Sequence, residues 1–248
     1  MEIKIPWAKP TVGHEEMKEV IQTFEDDWLT MGPRVLKFEK IMADYLQVPH
    51  AIAVSNGTVA LDIALKTIGI KNDDEVIVPA MTYFATASAV SYQNAKPVFV
   101  DIEKNSFNLD PERIEEAITE KTKAILFIDY GGNPSNFDEI DKIGKKHDIR
   151  IIQDGAQSLG AVYKLSPMGA QTEISTMSFH MAKIMTCIEG GMVFTHNTDF
   201  KEKILSMRNH GEPQNGKYKH VLLGTNARMT DVQQLLVWPN LKTSDDVG

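Results

Sequence analysis

Short apolar runs alternate along the chain with longer stretches whose apolar residues recur at helical spacing. Ala51 to Val54, Glu75 to Val78, Pro97 to Val100, Ala124 to Ile128, Arg150 to Gln153, Thr176 to Phe179 and Met192 to Thr195 read as strands. The last two are closely spaced, and Pro79 stops the second. Helices are predicted over Thr58 to Ile68, Ala85 to Tyr92 and Phe137 to His147. Asp110-Pro111 opens another, because Asp caps free N–H groups and proline suits the first helical position. Strands that are apolar on both faces and alternate with helices predict an α/β fold, a mostly parallel sheet sandwiched between helices. Such sheets bind ligands beyond the carboxyl ends of their strands, so the polar residues just after each strand are the candidates.

Composition narrows the function classes. The 248 residues are 42% hydrophobic and 24% charged, which suits a globular protein with a real core. A formal net charge of −8 without a cluster of Lys or Arg argues against a nucleic-acid surface. Cys187, the single cysteine, excludes an internal disulfide and fits a reducing compartment. No apolar run approaches the roughly 18–20 residues of a membrane-spanning helix. The stretch Met1 to Pro6 lacks the apolar core of a secretory signal, so no membrane partner and a cytoplasmic location are expected. No metal-ligand set is assigned.

Three groups of residues fall at successive strand ends. Ser55-Asn56-Gly57-Thr58 joins a strand to a helix. A glycine there lets the backbone come close, and free N–H groups at the helix start suit a phosphate; a plain capped turn would use the same residues. Asp154 follows the fifth strand, where a desolvated carboxylate needs a cationic partner, such as a protonated ring nitrogen. A helix cap or buried acceptor is the alternative, and Gln157 could cap that turn or contact a ligand. Lys183 follows Ser178-Phe179-His180 within a few residues of a strand end. A partly desolvated lysine becomes nucleophilic toward carbonyls, and Ser178 supplies a hydroxyl for a phosphate. A solvated surface lysine and a packed core histidine are the ordinary readings of Lys183 and His180. Together the groups share one logic: a phosphate cradle, a carboxylate for a ring nitrogen and an amine for an aldehyde.

The motifs carrying that logic resemble the DegT/DnrJ/EryC1/StrS family of pyridoxal-phosphate (PLP) aminotransferases. They are Trp28-Leu29-Thr30-Met31-Gly32-Pro33, Ser55 to Leu61, Asp74 to Pro79, Asp154 to Gly160, Ser178 to Lys183, Glu189 to Val193, Arg208-Asn209-His210-Gly211 and Asn226 to Thr230. The resemblance implies a fold-type I large domain over residues 1–233, N-terminal helices included, followed by a divergent remnant over 234–248. It also implies a largely missing C-terminal small domain and a homodimer with shared active sites. By motif, Lys183 matches the Schiff-base lysine and Asp154 the partner of the pyridine nitrogen. Gln157 matches the residue near the ring and its hydroxyl, and Tyr83 the aromatic that stacks on the ring. Gly57, Thr58 and Ser178 match the phosphate cradle, and Asn226 the residue reaching the phosphate from the neighbouring subunit.

The implied reaction moves an amino group from a donor, glutamate in most relatives, to a keto group on a nucleotide-linked sugar. Asp154 would keep the ring nitrogen protonated, and the Lys183 amine would shuttle the donor's α-proton. Relatives with His in place of this lysine remove a sugar hydroxyl, so Lys183 favours transamination. Three departures stand out. Pro239 falls where the resemblance expects a helix to continue, Ile188 stands where a small residue, often Gly, usually sits, and Asp129 replaces a common His. An extra carboxylate at Asp129 is expected to weaken binding of an anion. A non-catalytic paralogue that binds PLP or a partner subunit is the competing expectation.

Overall fold

The computed structural model describes residues 8–10 and 12–234. Apart from Gln234, the predicted remnant and its Pro239 lie outside the described residues. Two helices, α1 (His14–Glu25) and α2 (Pro33–Leu46), lead into strand β1 (His50–Val54). Then come α3 (Gly57–Thr67), β2 (Glu75–Pro79), α4 (Phe84–Ser91), β3 (Lys96–Val100), α5 (Pro111–Ala117) and β4 (Thr122–Ile128). Helix α6 (Phe137–His147), β5 (Arg150–Asp154) and a small hairpin of β6 (Val162–Tyr163) and β7 (Ser166–Pro167) follow. The chain continues through β8 (Ile174–Ser178), β9 (Gly191–Thr195), α7 (Thr198–Arg208) and α8 (Asp231–Gln234). Each predicted strand and helix is present within about two residues, while α7, α8 and the small hairpin were not foreseen.

Seven strands form one sheet in the order β1-β9-β8-β5-β4-β2-β3. Strands β3, β2, β4, β5 and β8 run parallel, each joined to the next in sequence by a long crossover. Strand β9 runs antiparallel to both β8 and β1. The reason is local: the Phe179–Gly190 loop folds back on itself through its own backbone hydrogen bonds, Phe179 to Gly190 and Met181 to Ile188, so β9 returns beside β8 as the second arm of a long hairpin. This loop carries Lys183, so the reversal brings the lysine segment back over its own strand end.

Both faces are covered. Val54, Ile152, Ile174 and Val193 pack in one cluster with residues of α3, α4 and α7. On the other face Ala53, Met177, Met192 and Phe194 meet Phe38 and Met42 of α2, and Ile125 and Phe127 meet Ile114 and Ile140 of α5 and α6. Fully burying one such aliphatic or aromatic side chain contributes about 1.5–3 kcal/mol, so this double layer holds the strand ends rigidly. The Lys183 loop is anchored by Phe179, fully buried, whose ring meets Phe38 edge-on at 5.1 Å.

Candidate active site

The site lies at the carboxyl ends of β5 and β8, on the face that packs against α3 and α4. Alternation along a strand puts Ile152 and Asp154 on one side of β5 and Gln153 on the other. Asp154 is therefore delivered to the same side as α4, and it is 3% exposed. Its Oδ2 accepts from the Thr86 hydroxyl at 2.9 Å and its Oδ1 from the Ala156 amide at 3.1 Å. Burial pushes the Asp154 carboxyl above the usual range, and the Ala156 amide, Thr86 and the nearby charge of Lys183 pull it back only in part.

Lys183 is half-buried and faces that carboxylate electrostatically. Burial holds its amine below the ordinary lysine value, and the charge of Asp154 opposes the shift. The surface-lysine reading therefore fails. The loop around it is closed by three backbone hydrogen bonds: Phe179 N–H to the Gly190 carbonyl at 2.8 Å, Met181 N–H to Ile188 at 2.9 Å and Cys187 N–H to Phe179 at 2.9 Å. His180 is no core histidine: its ring sits 3.8 Å from the Glu189 carboxylate at the rim.

Next to the lysine loop, the end of β8 meets the start of α3. A Cβ added to Gly57 would stand 2.8 Å from the Ser178 Cβ, and one added to Gly191 only 2.3 Å from the Asn56 carbonyl oxygen. Both positions need the missing side chain, because the helix start, Ser178 and the first residue of β9 crowd together. Asn56 caps α3 by accepting from the Val59 amide at 2.9 Å. The amides of Gly57 and Thr58 have no hydrogen-bond acceptor among the described residues. Ser178 accepts from the His180 amide at 3.3 Å, which leaves its own proton available to donate. Two free amides at a helix N-terminus with an adjacent hydroxyl form an anion cradle.

Gln157 is half-buried, and its Oε1 accepts from the Gly131 amide at 2.7 Å. Its Nε2 makes no hydrogen bond among the described residues and remains a donor for an acidic oxygen of a ligand. Tyr83 precedes α4 and is 71% exposed beside Thr82 and Thr86, the mouth of the site. Gly57, Thr58, Asp154, Gln157, Ser178 and Lys183 are thus brought to one end of the sheet. Asn226 is exposed and its side chain bonds to none of them, although the Ala227 carbonyl accepts from the Ser55 amide at 2.9 Å next to the cradle.

One expectation is corrected. The Asp129 carboxylate does not reach an anion-binding surface: it is fully buried, accepting from the Ser135 amide at 3.0 Å and from Gln153 Nε2 at 2.6 Å. It lies one residue beyond β4, on the same sheet face as Gln153 and opposite Asp154. Sequence reasoning also passed over Thr86 and Gly131, which hold Asp154 and Gln157 in place. Their partners lie 68 and 26 residues away, so no local pattern points to them.

A mostly parallel α/β sheet with a loop lysine, a carboxylate at the neighbouring strand end and free helix-start amides beside the lysine loop defines a large domain of fold type I. The chain belongs to the DegT/DnrJ/EryC1/StrS aminotransferase family, whose model matches residues 10–247. It is 37% identical to the GDP-perosamine synthase of Caulobacter vibrioides over 98% of this chain and 66% of that protein. It is 39% identical to the uncharacterized protein MJ1066 of Methanocaldococcus jannaschii over 97% of this chain and 65% of that one. Among solved structures, the PLP form of Spr1654 from Streptococcus pneumoniae, a proposed sugar aminotransferase, matches with a TM-score of 0.92 and 31% identity. That match covers 98% of this chain and 67% of the neighbour. The chain thus spans about two thirds of the length of the relatives it matches.

Proposed function

We propose that the chain is the cofactor-binding large domain of a PLP-dependent aminotransferase that moves an amino group, with glutamate as donor, to a keto group of a nucleotide-linked sugar. Residues 1–233 form that domain in this reading. The observation carrying it is the half-buried amine of Lys183 opposite the buried Asp154, beside the Gly57, Thr58 and Ser178 cradle. The residues fit the cofactor: the free amides and hydroxyl match a phosphate, and a buried carboxylate with one cation nearby matches a protonated ring nitrogen.

PLP, when bound, supplies an aldehyde for amine exchange and an electron-accepting ring. Asp154 holds the proton on the ring nitrogen. Burial enlarges the neutral fraction of the Lys183 amine, so with the cofactor bound it would serve as the nucleophile toward the aldehyde and then as the base that moves the donor's α-proton. Gln157 Nε2 would be the donor for the ring hydroxyl, and Tyr83 would be the aromatic that covers the ring. Asn226 fits a role at the phosphate of a second copy in a homodimer, because it is exposed and uncommitted to its own site. The nucleotide-sugar substrate is supported by the likeness to GDP-perosamine synthase. Among the described residues no helix is long and apolar enough to cross a membrane, and a cytoplasmic enzyme is the reading adopted.

The test is visible absorbance of the purified chain with PLP, before and after glutamate. The expected result is a band of lysine-linked cofactor that glutamate converts to the amine form and that Lys183→Ala lacks. A band indifferent to glutamate would favour a binding paralogue that does not turn over. No band in the unmodified chain would overturn the reading of Lys183.

A further inference from the structure

We propose that Thr86, itself oriented by Thr82, is a positioning residue that holds Asp154 as an ionised carboxylate aimed at the cofactor's ring nitrogen, an inference that rests on the PLP reading above. The first observation is what Thr86 does not do. The other buried helical threonines satisfy their hydroxyls locally: Thr23 donates to the Glu19 carbonyl at 2.9 Å and Thr67 to the Ile63 carbonyl at 2.7 Å, each four residues back. Thr86, in the first turn of α4 and fully buried, instead directs its hydroxyl across to Asp154 on β5 at 2.9 Å.

Proton counting ties the two hydrogen bonds together. A threonine hydroxyl has one proton, and Thr82 Oγ1 lies 2.7 Å from Thr86 Oγ1. When Thr86 donates to an ionised Asp154, its oxygen accepts from Thr82, so the half-buried Thr82 sets the rotor of the buried Thr86. The alternative direction requires Asp154 to be the donor, which means a protonated carboxyl unable to hold a ring-nitrogen proton. With Oδ2 taken by Thr86 and Oδ1 by the Ala156 amide, the carboxylate plane is fixed at both ends. Lys183 is the charged group facing Asp154 among the described residues, and it arrives from the β8 side; Thr86 is the contribution of α4. Burial drives Asp154 toward its neutral form, so losing a donor there shifts the balance the wrong way for the proposed chemistry.

The test compares Thr86→Val, which keeps the shape, with Thr86→Ser, which keeps the hydroxyl. In the cofactor-free chain, carbon-13 NMR of labelled aspartates follows the Asp154 carboxyl, assigned through Asp154→Asn. Its titration midpoint is expected to rise in Thr86→Val and return in Thr86→Ser. PLP affinity is expected to fall roughly tenfold or more in Thr86→Val, the range for a hydrogen bond to a charged group, and to recover in Thr86→Ser. An Asp154 titration unmoved by Thr86→Val, or a Ser variant that behaves like Val, would overturn the proposal. If the unmodified chain took up no PLP, the cofactor reading would fail, while the NMR comparison would still decide whether Thr86 governs Asp154.

Discussion

Ile188 occupies a backbone conformation that its side chain opposes. Its φ is +70°, the left-handed region, where a β-branched residue is disfavoured by about 1–2 kcal/mol. Its side chain is 61% exposed, so little packing offsets that penalty. The strain sits in the Lys183 loop, because the Ile188 carbonyl accepts from the Met181 amide at 2.9 Å. The position was legible in the sequence as one where a small residue is usual, but the reason, a positive φ before Glu189-Gly190, is geometric. Ile188→Gly removes the clash at the cost of a more flexible unfolded chain. The expected balance is a gain of about 0.5–1 kcal/mol in a urea unfolding curve; an unchanged or lower midpoint would contradict it. Lys183, Asp154 and Gly57 were readable because each lies at or shortly after the carboxyl end of a strand. The inward turn of Asp129 was not, since only its placement on the Gln153 side of the sheet decides that it serves the interior.

Helix α2 takes its N-terminal cap from the far end of the described chain. Gly32 precedes the helix and offers no side chain for capping. The buried carboxylate of Asp231, at the start of α8, accepts from the amides of Gly32 at 2.6 Å, Arg34 at 3.0 Å and Val35 at 3.3 Å. An anion there also suits the positive end of the helix dipole. Asp231→Ala would leave several amides without acceptors, two of them in buried bonds, for an expected loss of about 2–4 kcal/mol. Asp231→Asn, which keeps one acceptor oxygen, should lose less, and urea titration of both variants distinguishes this cap from an ordinary surface carboxylate. At this scale the sequence was readable wherever an element announces itself locally. Asp110 accepts from the Glu112 amide at 3.0 Å, as its place before Pro111 predicts, and α6 spans the predicted residues. Helix α7 escaped notice because its buried Phe200, Ile204 and Leu205 make a sparse stripe among charges, although Asn197 caps it. The direction of β9 depends on the content of the preceding loop, which strand periodicity does not encode.

Across the whole molecule, the candidate site lowers the stability of the cofactor-free chain in a way that pH can reveal. The folded-state value of Asp154 is raised above 3.8, so the group favours folding fully at lower pH, and that contribution is lost as pH rises through the folded value. Lys183 has its folded value lowered from 10.5, so its charge also opposes folding until the pH climbs through the interval between the folded value and 10.5. Between the folded value of Asp154 and that of Lys183 both charges are held in a partly dry site. The upward shift of Asp154 already includes the attraction of Lys183 and the bonds from Thr86 and Ala156, so neutralising the carboxyl is favourable on balance. Asn in its place can still accept from Ala156 and can donate to Thr86, whose proton then turns to Thr82. Asp154→Asn is therefore expected to melt higher than the unmodified apo chain at neutral pH, with the gap shrinking toward pH 4. PLP reverses the order, because a ligand bound only by the folded state stabilises it in proportion to its affinity, and the Asn variant lacks the charge that the ring nitrogen needs. Scanning calorimetry of both chains, with and without PLP across that pH range, should show a large cofactor-induced rise for Asp154 and a small one for Asn. An Asn variant that melts lower at every pH would mean that Asp154 stabilises the fold itself, rather than giving up stability to hold a cofactor.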